Sequence, residues 1–169
     1  MCSIIGYSGK NSAAPILVKG LQKMEYRGYD SVGIATESEN KIVVKKGVGR
    51  VVEVSNAVQL DKLPGNIGIG HTRWATHGKV TEKNAHPHSS NSGKIAIVHN
   101  GIVENFEELK SDLQNKGYEF QSETDTEIIA NLIQLNLDET SDVKQSIIKT
   151  VNQIKGHYSF VAIFDDGTL

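Results

Sequence analysis

Two β-branched runs, Val32 to Thr36 and Lys41 to Lys46, flank Ser38-Glu39-Asn40, and strands joined by so short a polar turn predict an antiparallel hairpin. A second turn, Asp165-Asp166-Gly167, ends the apolar run from His157 to Phe164. Segments of helical spacing lie between them, so the chain mixes hairpins with helices and disfavours a parallel βαβ sheet. Ser12 is placed to cap a helix from Ala13 to about Glu25, with Pro15 in its first turn and Leu17, Leu21 and Met24 on one face. Asn105 with Glu108, and Thr124 with Glu127, are spaced as capping boxes. The helices they start bury Phe106, Leu109 and Leu113 in one case and Ile128, Ile129, Leu132 and Ile133 in the other. Ser141 begins a further helix with Val143, Ile147, Val151 and Ile154 on one side. Arg50 to Leu60 suits strand or helix and is read as helix, while Ser3 to Tyr7, Ile67 to Gly70, Lys94 to Val98 and Tyr118 to Gln121 are read as short strands.

At 169 residues, 38% of them apolar, the chain can bury a core as one domain. A net charge of −2 leaves no basic footprint for nucleic acid, and no apolar run approaches the roughly 20 residues that span a bilayer. Neither a nucleic acid nor a membrane is therefore expected as a partner. Cys2 is the sole cysteine, so no intramolecular disulfide can form, and a cytoplasmic location is expected.

A lone cysteine ordinarily reads as a small buried apolar residue. At position 2 it acquires a second meaning, because loss of Met1 leaves a thiol and a free α-amine on one residue. The amine titrates near pH ~8 and the thiol near ~8.5, so one can take the proton of the other and the residue carries its own base. Three further stretches are richer in chemistry than connectors require. Tyr26-Arg27-Gly28-Tyr29-Asp30-Ser31 is polar and aromatic. His71-Thr72-Arg73-Trp74-Ala75-Thr76-His77-Gly78 crowds an Arg fork suited to a carboxylate beside the only Trp. His99-Asn100-Gly101 puts an amide beside a glycine, either a tight turn or a pair of donors for an oxyanion. Asp125 sits in the first turn of its helix, where capping alone would explain a carboxylate. Five histidines, His71, His77, His86, His88 and His99, fall within thirty residues and raise a zinc alternative. No second Cys or His-Glu-x-x-His supports it.

Cys2, Tyr26 to Ser31, His71 to Gly78, Asn84-Ala85-His86-Pro87-His88, His99-Asn100-Gly101 and Glu123-Thr124-Asp125-Thr126-Glu127 occur in an order that resembles the glutaminase domains of glucosamine-6-phosphate synthases, a branch of the class II glutamine amidotransferases. The resemblance runs the length of the chain. It implies an α+β fold of four layers, with two antiparallel sheets between helices, as in N-terminal-nucleophile hydrolases. It also implies hydrolysis of the glutamine side-chain amide through a Cys2 thioester, with release of ammonia for amination of fructose 6-phosphate. By the same resemblance Asn100 and Gly101 form the oxyanion hole, Arg73 meets the substrate α-carboxylate and Asp125 its α-ammonium. Trp74, Thr76 and His77 line the pocket, His86 supports the substrate, and Arg27 supports the N-terminus. No metal and no organic cofactor is required.

Two departures accompany the match. Ser3 stands where the family carries glycine, which sets a Cβ and a hydroxyl beside the thiol. The family's enzymes continue past the equivalent of Leu169 into a sugar-phosphate isomerase domain, so residues 1–169 are expected to be a partial glutaminase domain of a longer homo-oligomeric protein. The competing expectation is an inactive fragment or interaction module that keeps the fold.

Overall fold

The computed structural model describes residues 2–75 and 78–169. Its strands are β1 (Ser3–Ser8), β2 (Ser31–Ser38), β3 (Lys41–Val48), β4 (Ile67–Arg73), β5 (His88–Ser89), β6 (Ile95–Val103) and β7 (Gly156–Phe164). Its helices are α1 (Ala13–Met24), α2 (Val51–Val58), α3 (Phe106–Asn115), α4 (Thr126–Thr140) and α5 (Val143–Gln153). The expected hairpin is β2–β3, and Glu39 and Asn40 both take positive φ, 54° and 58°, the turn whose twist matches paired strands. One sheet runs β1-β4-β2-β3 and the other β5-β6-β7, antiparallel throughout.

Strand alternation assigns each side chain to a layer. On β4, Ile67 and Ile69 join the cluster between the sheets, where Ala35, Ala96, Val98 and Ile163 also meet. His71 and Arg73 share that parity and so face the second sheet. Gly68 and Gly70 face the other way, where a Cβ on Gly70 would stand 3.0 Å from Leu21 and one on Gly68 2.9 Å from Leu17. These two glycines let α1 lie close on the sheet, in a core that includes Leu17, Leu21, Ile34 and Val54. Across the molecule, Ile95, Ile97, Ala162 and Phe164 face helices α3 to α5 with Ile128, Ile129 and Ile133. The four-layer α+β sandwich is thus the one expected.

Several local expectations differ. The side chain of Asn105 makes no cap; it donates to the Gln153 carbonyl at 3.0 Å and accepts from the Lys155 N–H at 2.8 Å, tying α3 to the end of α5. Glu127 does not box with Thr124. Its carboxylate accepts from the N–H groups of Gln121 and Ser122, at 2.9 and 2.7 Å, and from the Ser122 hydroxyl. With those donors taken by a side chain, residues 118–121 run as irregular backbone instead of the expected strand. Ser141 closes α4 in the left-handed region and Asp142, one residue on, caps α5 through the Gln145 N–H. Val151 is 40% exposed, and Ser146 and Thr150 take the inner face of α5 beside Asn136.

Candidate active site

Cys2 precedes β1, and alternation along that strand settles the question raised by Ser3. Ser3 shares a side with Ile5, which packs toward α1, and its hydroxyl donates to the Met24 carbonyl at 3.2 Å. Cys2 has the parity of Ile4, which belongs to the cluster between the sheets. Thiol and hydroxyl therefore leave the backbone on opposite faces, so the Ser3 side chain is directed away from the Cys2 thiol. The Trp74 N–H donates to the Cys2 sulfur at 3.3 Å, and the thiol lies 3.6 Å from the Trp74 carbonyl.

The same end of the sandwich collects residues from both sheets and from α4. A cavity of about 580 Å³ is lined by Cys2, Arg27, Arg73, Trp74, His86, Asn100, Gly101 and Asp125, with His99, Phe106, Glu123 and Thr126 among the rest of its wall. That set contains every proposed site residue except Thr76 and His77, which lie outside the described residues. A larger groove, about 1380 Å³, opens between β3 and residues 119–123; it shares Glu123 with the first cavity but carries none of the expected site residues.

Asn100 projects from β6 between the sheets. Its Nδ2 donates to the Cys2 carbonyl at 3.3 Å, and its Oδ1 lies 2.8 Å from His71 Nε2. Gly101 takes φ +131°, and a Cβ there would run into the His157 carbonyl and approach the Tyr158 Cα at 2.6 Å. Only glycine suits the position. The oxygen Oδ2 of Asp125 accepts from the Val103 N–H at 2.8 Å, while no cap bond to α4 forms. The carboxylate is thus turned back toward β6, beyond the capping role its position would explain. Arg73 is 6% exposed and donates through Nη1 to the Lys79 carbonyl at 3.2 Å. Trp74, 42% exposed, meets Tyr29 edge-on at 5.4 Å.

The histidines form a stack instead of a cage. The rings of His71 and His86 lie 4.2 Å apart and nearly parallel, and His88 meets His86 edge-on at 4.9 Å. His86 Nδ1 accepts from the His99 N–H at 3.4 Å, His88 Nε2 pairs with the Thr124 hydroxyl at 3.1 Å, and His99 Nδ1 with the Thr126 hydroxyl at 2.9 Å. Among the described residues no three His, Cys, Asp or Glu side chains are arranged to hold a metal ion. Burial lowers the pKa of His71 to about 4, against the opposing pull of its bond to Asn100. Burial, reinforced by neighbouring positive groups, holds His86 and His88 well below the ordinary range. Burial also lowers His99, with Asp125 at 3.7 Å pulling the other way.

Two residues outside the expected set shape the site. Asp30 Oδ2 accepts from the Ala75 N–H at 2.8 Å, and the Asp30 N–H donates to the Arg73 carbonyl at 3.0 Å, pinning the chain on either side of Trp74. Lys46 stands at an inward position of β3, in line with Ile42 and Val44, and its ammonium donates to the carbonyls of Ala85 at 2.6 Å and Pro87 at 3.0 Å. A charge breaking an apolar alternation was the available signal for Lys46.

Comparison with known proteins bears on the family and the fold. Residues 71–168 match the family model of the glutamine amidotransferase domain. The chain is 51% identical over 166 residues to glutamine–fructose-6-phosphate aminotransferase (isomerizing) of Pyrococcus horikoshii, covering 98% of this chain and 28% of that protein. It is 50% identical over 159 residues to the corresponding enzyme of Clostridium acetobutylicum, covering 94% of this chain and 26% of the relative. The chain therefore spans about a quarter of the length of these relatives. Among solved structures, glutamine phosphoribosylpyrophosphate amidotransferase from B. subtilis is 32% identical with a TM-score of 0.83, over 98% of this chain and 35% of that one. The structure of the allosteric regulatory enzyme of purine biosynthesis is likewise 32% identical, with a TM-score of 0.84, over 98% of this chain and 36% of that one. On its sequence match and its fold, this chain belongs to the glutamine amidotransferase domain family.

Proposed function

We propose that this chain hydrolyses the side-chain amide of glutamine at Cys2, and that the longer protein in which it works uses the ammonia to aminate fructose 6-phosphate on a sugar-phosphate isomerase domain. The observation that carries the proposal is the convergence on one cavity of about 580 Å³ of a thiol just before β1, an amide and a glycine from β6, an Arg from β4 and a carboxylate just before α4.

Glutamine is a zwitterion, so its head group needs an anion and a cation site about one carbon. Arg73 offers the planar fork for the α-carboxylate and Asp125 the charge for the α-ammonium. Once Met1 is removed, the α-amine of Cys2 takes the thiol proton, and the thiolate adds to the amide carbon. Charge gathers on the carbonyl oxygen, where the second N–H of Asn100 and the backbone N–H of Gly101 stabilise it. Collapse breaks the C–N bond; the ammonium formed on Cys2 returns its proton to the leaving nitrogen, and ammonia departs. Water then attacks the γ-glutamyl thioester by the same route and glutamate is released. Trp74 shields the thioester, and Arg27, His86, Thr76 and His77 complete the pocket.

The direct test is ammonia release from glutamine by the Met1-processed chain. Turnover that disappears in Cys2→Ala while the thermal midpoint is retained supports the assignment. Equal turnover in that variant would remove Cys2 from the chemistry.

A further inference from the structure

His71 is 1% exposed and faces the second sheet from the middle layer of the sandwich, with its Nε2 2.8 Å from Asn100 Oδ1. An amide oxygen only accepts, so the proton of this hydrogen bond belongs to Nε2. At neutral pH the ring holds one proton, because burial keeps its pKa near 4. The proton therefore resides on Nε2 and leaves Nδ1 bare. That agrees with Nδ1 being buried with no hydrogen-bond partner among the described residues, since a bare lone pair is the less costly group to leave there. The ring cannot easily turn over, because it lies flat on His86 at 4.2 Å.

An asparagine amide has two orientations related by a half-turn, nearly identical in shape and opposite in polarity. One aims N–H at the Cys2 side of the cavity and stabilises a developing oxyanion; the other aims a carbonyl oxygen there and repels it. Asn100 donates to the Cys2 carbonyl at 3.3 Å, but that bond is long, and alone it is a weak lock. We infer that His71 is the positioning residue that holds the Asn100 amide in its productive orientation, its Nε2–H grasping Oδ1 so that Nδ2 faces the nucleophile. This rests on the glutaminase assignment above. It adds that the donor of the oxyanion hole is set by a residue outside the cavity wall, on the neighbouring sheet.

Two ligands separate positioning from structure. A glutamine analogue with an aldehyde in place of the amide forms a tetrahedral hemithioacetal on Cys2 and needs the oxyanion donor, whereas glutamate fills the pocket without a tetrahedral centre. In the full Met1-processed chain, His71→Phe keeps the stacked ring and removes the N–H. It should weaken the aldehyde by on the order of 10- to 100-fold while glutamate affinity stays within about twofold. His71→Gln, whose amide N–H can reach Oδ1, should recover most of the loss. Equal affinities for the aldehyde in parent and His71→Phe, or equal losses for both ligands, would overturn the inference. Nitrogen-15 spectra of the parent offer a check independent of any variant: the Nε2–H tautomer at pH 7 supports it, and an Nδ1–H tautomer or an imidazolium refutes it. A parent chain that binds neither ligand overturns the glutaminase assignment and this inference together, an outcome distinct from failure of the variant comparison.

Discussion

Opposite charges at one carbon are the demand that glutamine makes on single residues, and in the proposed site Arg73 and Asp125, which line one cavity, would answer it. Arg73→Ala should raise KM for glutamine by the equivalent of about 2 to 5 kcal/mol, since the substrate carboxylate would be left buried and unpaired. Arg73→Lys should recover part of that, an ammonium lacking the fork. Unchanged KM in the Ala variant would give Arg73 a structural role, its bond to the Lys79 carbonyl being one part of it. Asp125→Asn keeps an oxygen for the Val103 N–H and removes only the charge. It should raise KM on the order of 10-fold or more with little change in thermal midpoint, and a lower midpoint with unaltered KM would make the carboxylate structural. That these residues would share one site was implied by the family resemblance, and the cavity does collect Arg73, Trp74 and Asn100; local pattern alone left Asn100-Gly101 open between a tight turn and a pair of donors. The service of His71 and Asp30 was not legible in the chain. Each acts through a contact across 29 or 45 residues, and such pairings follow from strand register, which local patterns do not encode.

Elements bring those side chains together, and β6 is the most demanding of them. Gly101 sits at φ +131° against the backbone of β7, so Gly101→Ala should cost on the order of 2 to 4 kcal/mol and disturb the β6–β7 register along with the site. Denaturant midpoints with and without the substitution measure it, and a loss within a few tenths of a kcal/mol would show that the strand relaxes around the methyl group. Lys46 serves the segment before β5, where its ammonium satisfies two carbonyls that no strand partner reaches. Lys46→Met should lose about 2 to 4 kcal/mol, the carbonyls being left without a donor; an unchanged midpoint would mean that water replaces the ammonium. Strands and helices with strong periodicity were readable from the sequence, as was the β2–β3 turn. Capping boxes at Asn105 and Thr124 were not, because Asn105 and Glu127 find better partners in distant backbone. The same diversion of backbone donors explains why the alternating stretch at 118–121 is no strand.

Across the whole molecule the sandwich keeps a row of neutral histidines between its sheets and α4, and this sets its response to acid. An unfolded histidine titrates near pH ~6.5, while burial lowers His71 in the fold to about 4 and holds His86 and His88 well below the ordinary value. Above about pH 6.5 neither state is protonated and the full stability is present. Below it the unfolded chain takes up protons that the fold refuses, so stability falls by up to about 1.4 kcal/mol per pH unit for each histidine. For His71 the loss levels off near pH 4. The thermal midpoint should therefore be level from pH 8 to 7 and drop between 6.5 and 4.5, less steeply in His88→Gln; a level profile down to pH 5 would mean that the histidines are hydrated. In the proposed site one cavity joins the thiol beside the first sheet to the amide of the second and accepts glutamine there. That is tested most directly by incubating the Met1-processed chain with a chloroketone analogue of glutamine and measuring intact mass and the modified peptide. A single adduct is expected, located on Cys2, formed at a saturable rate that free glutamine slows and Arg73→Ala reduces. An unmodified chain, or a label on Cys2 that glutamine does not compete for, would contradict it.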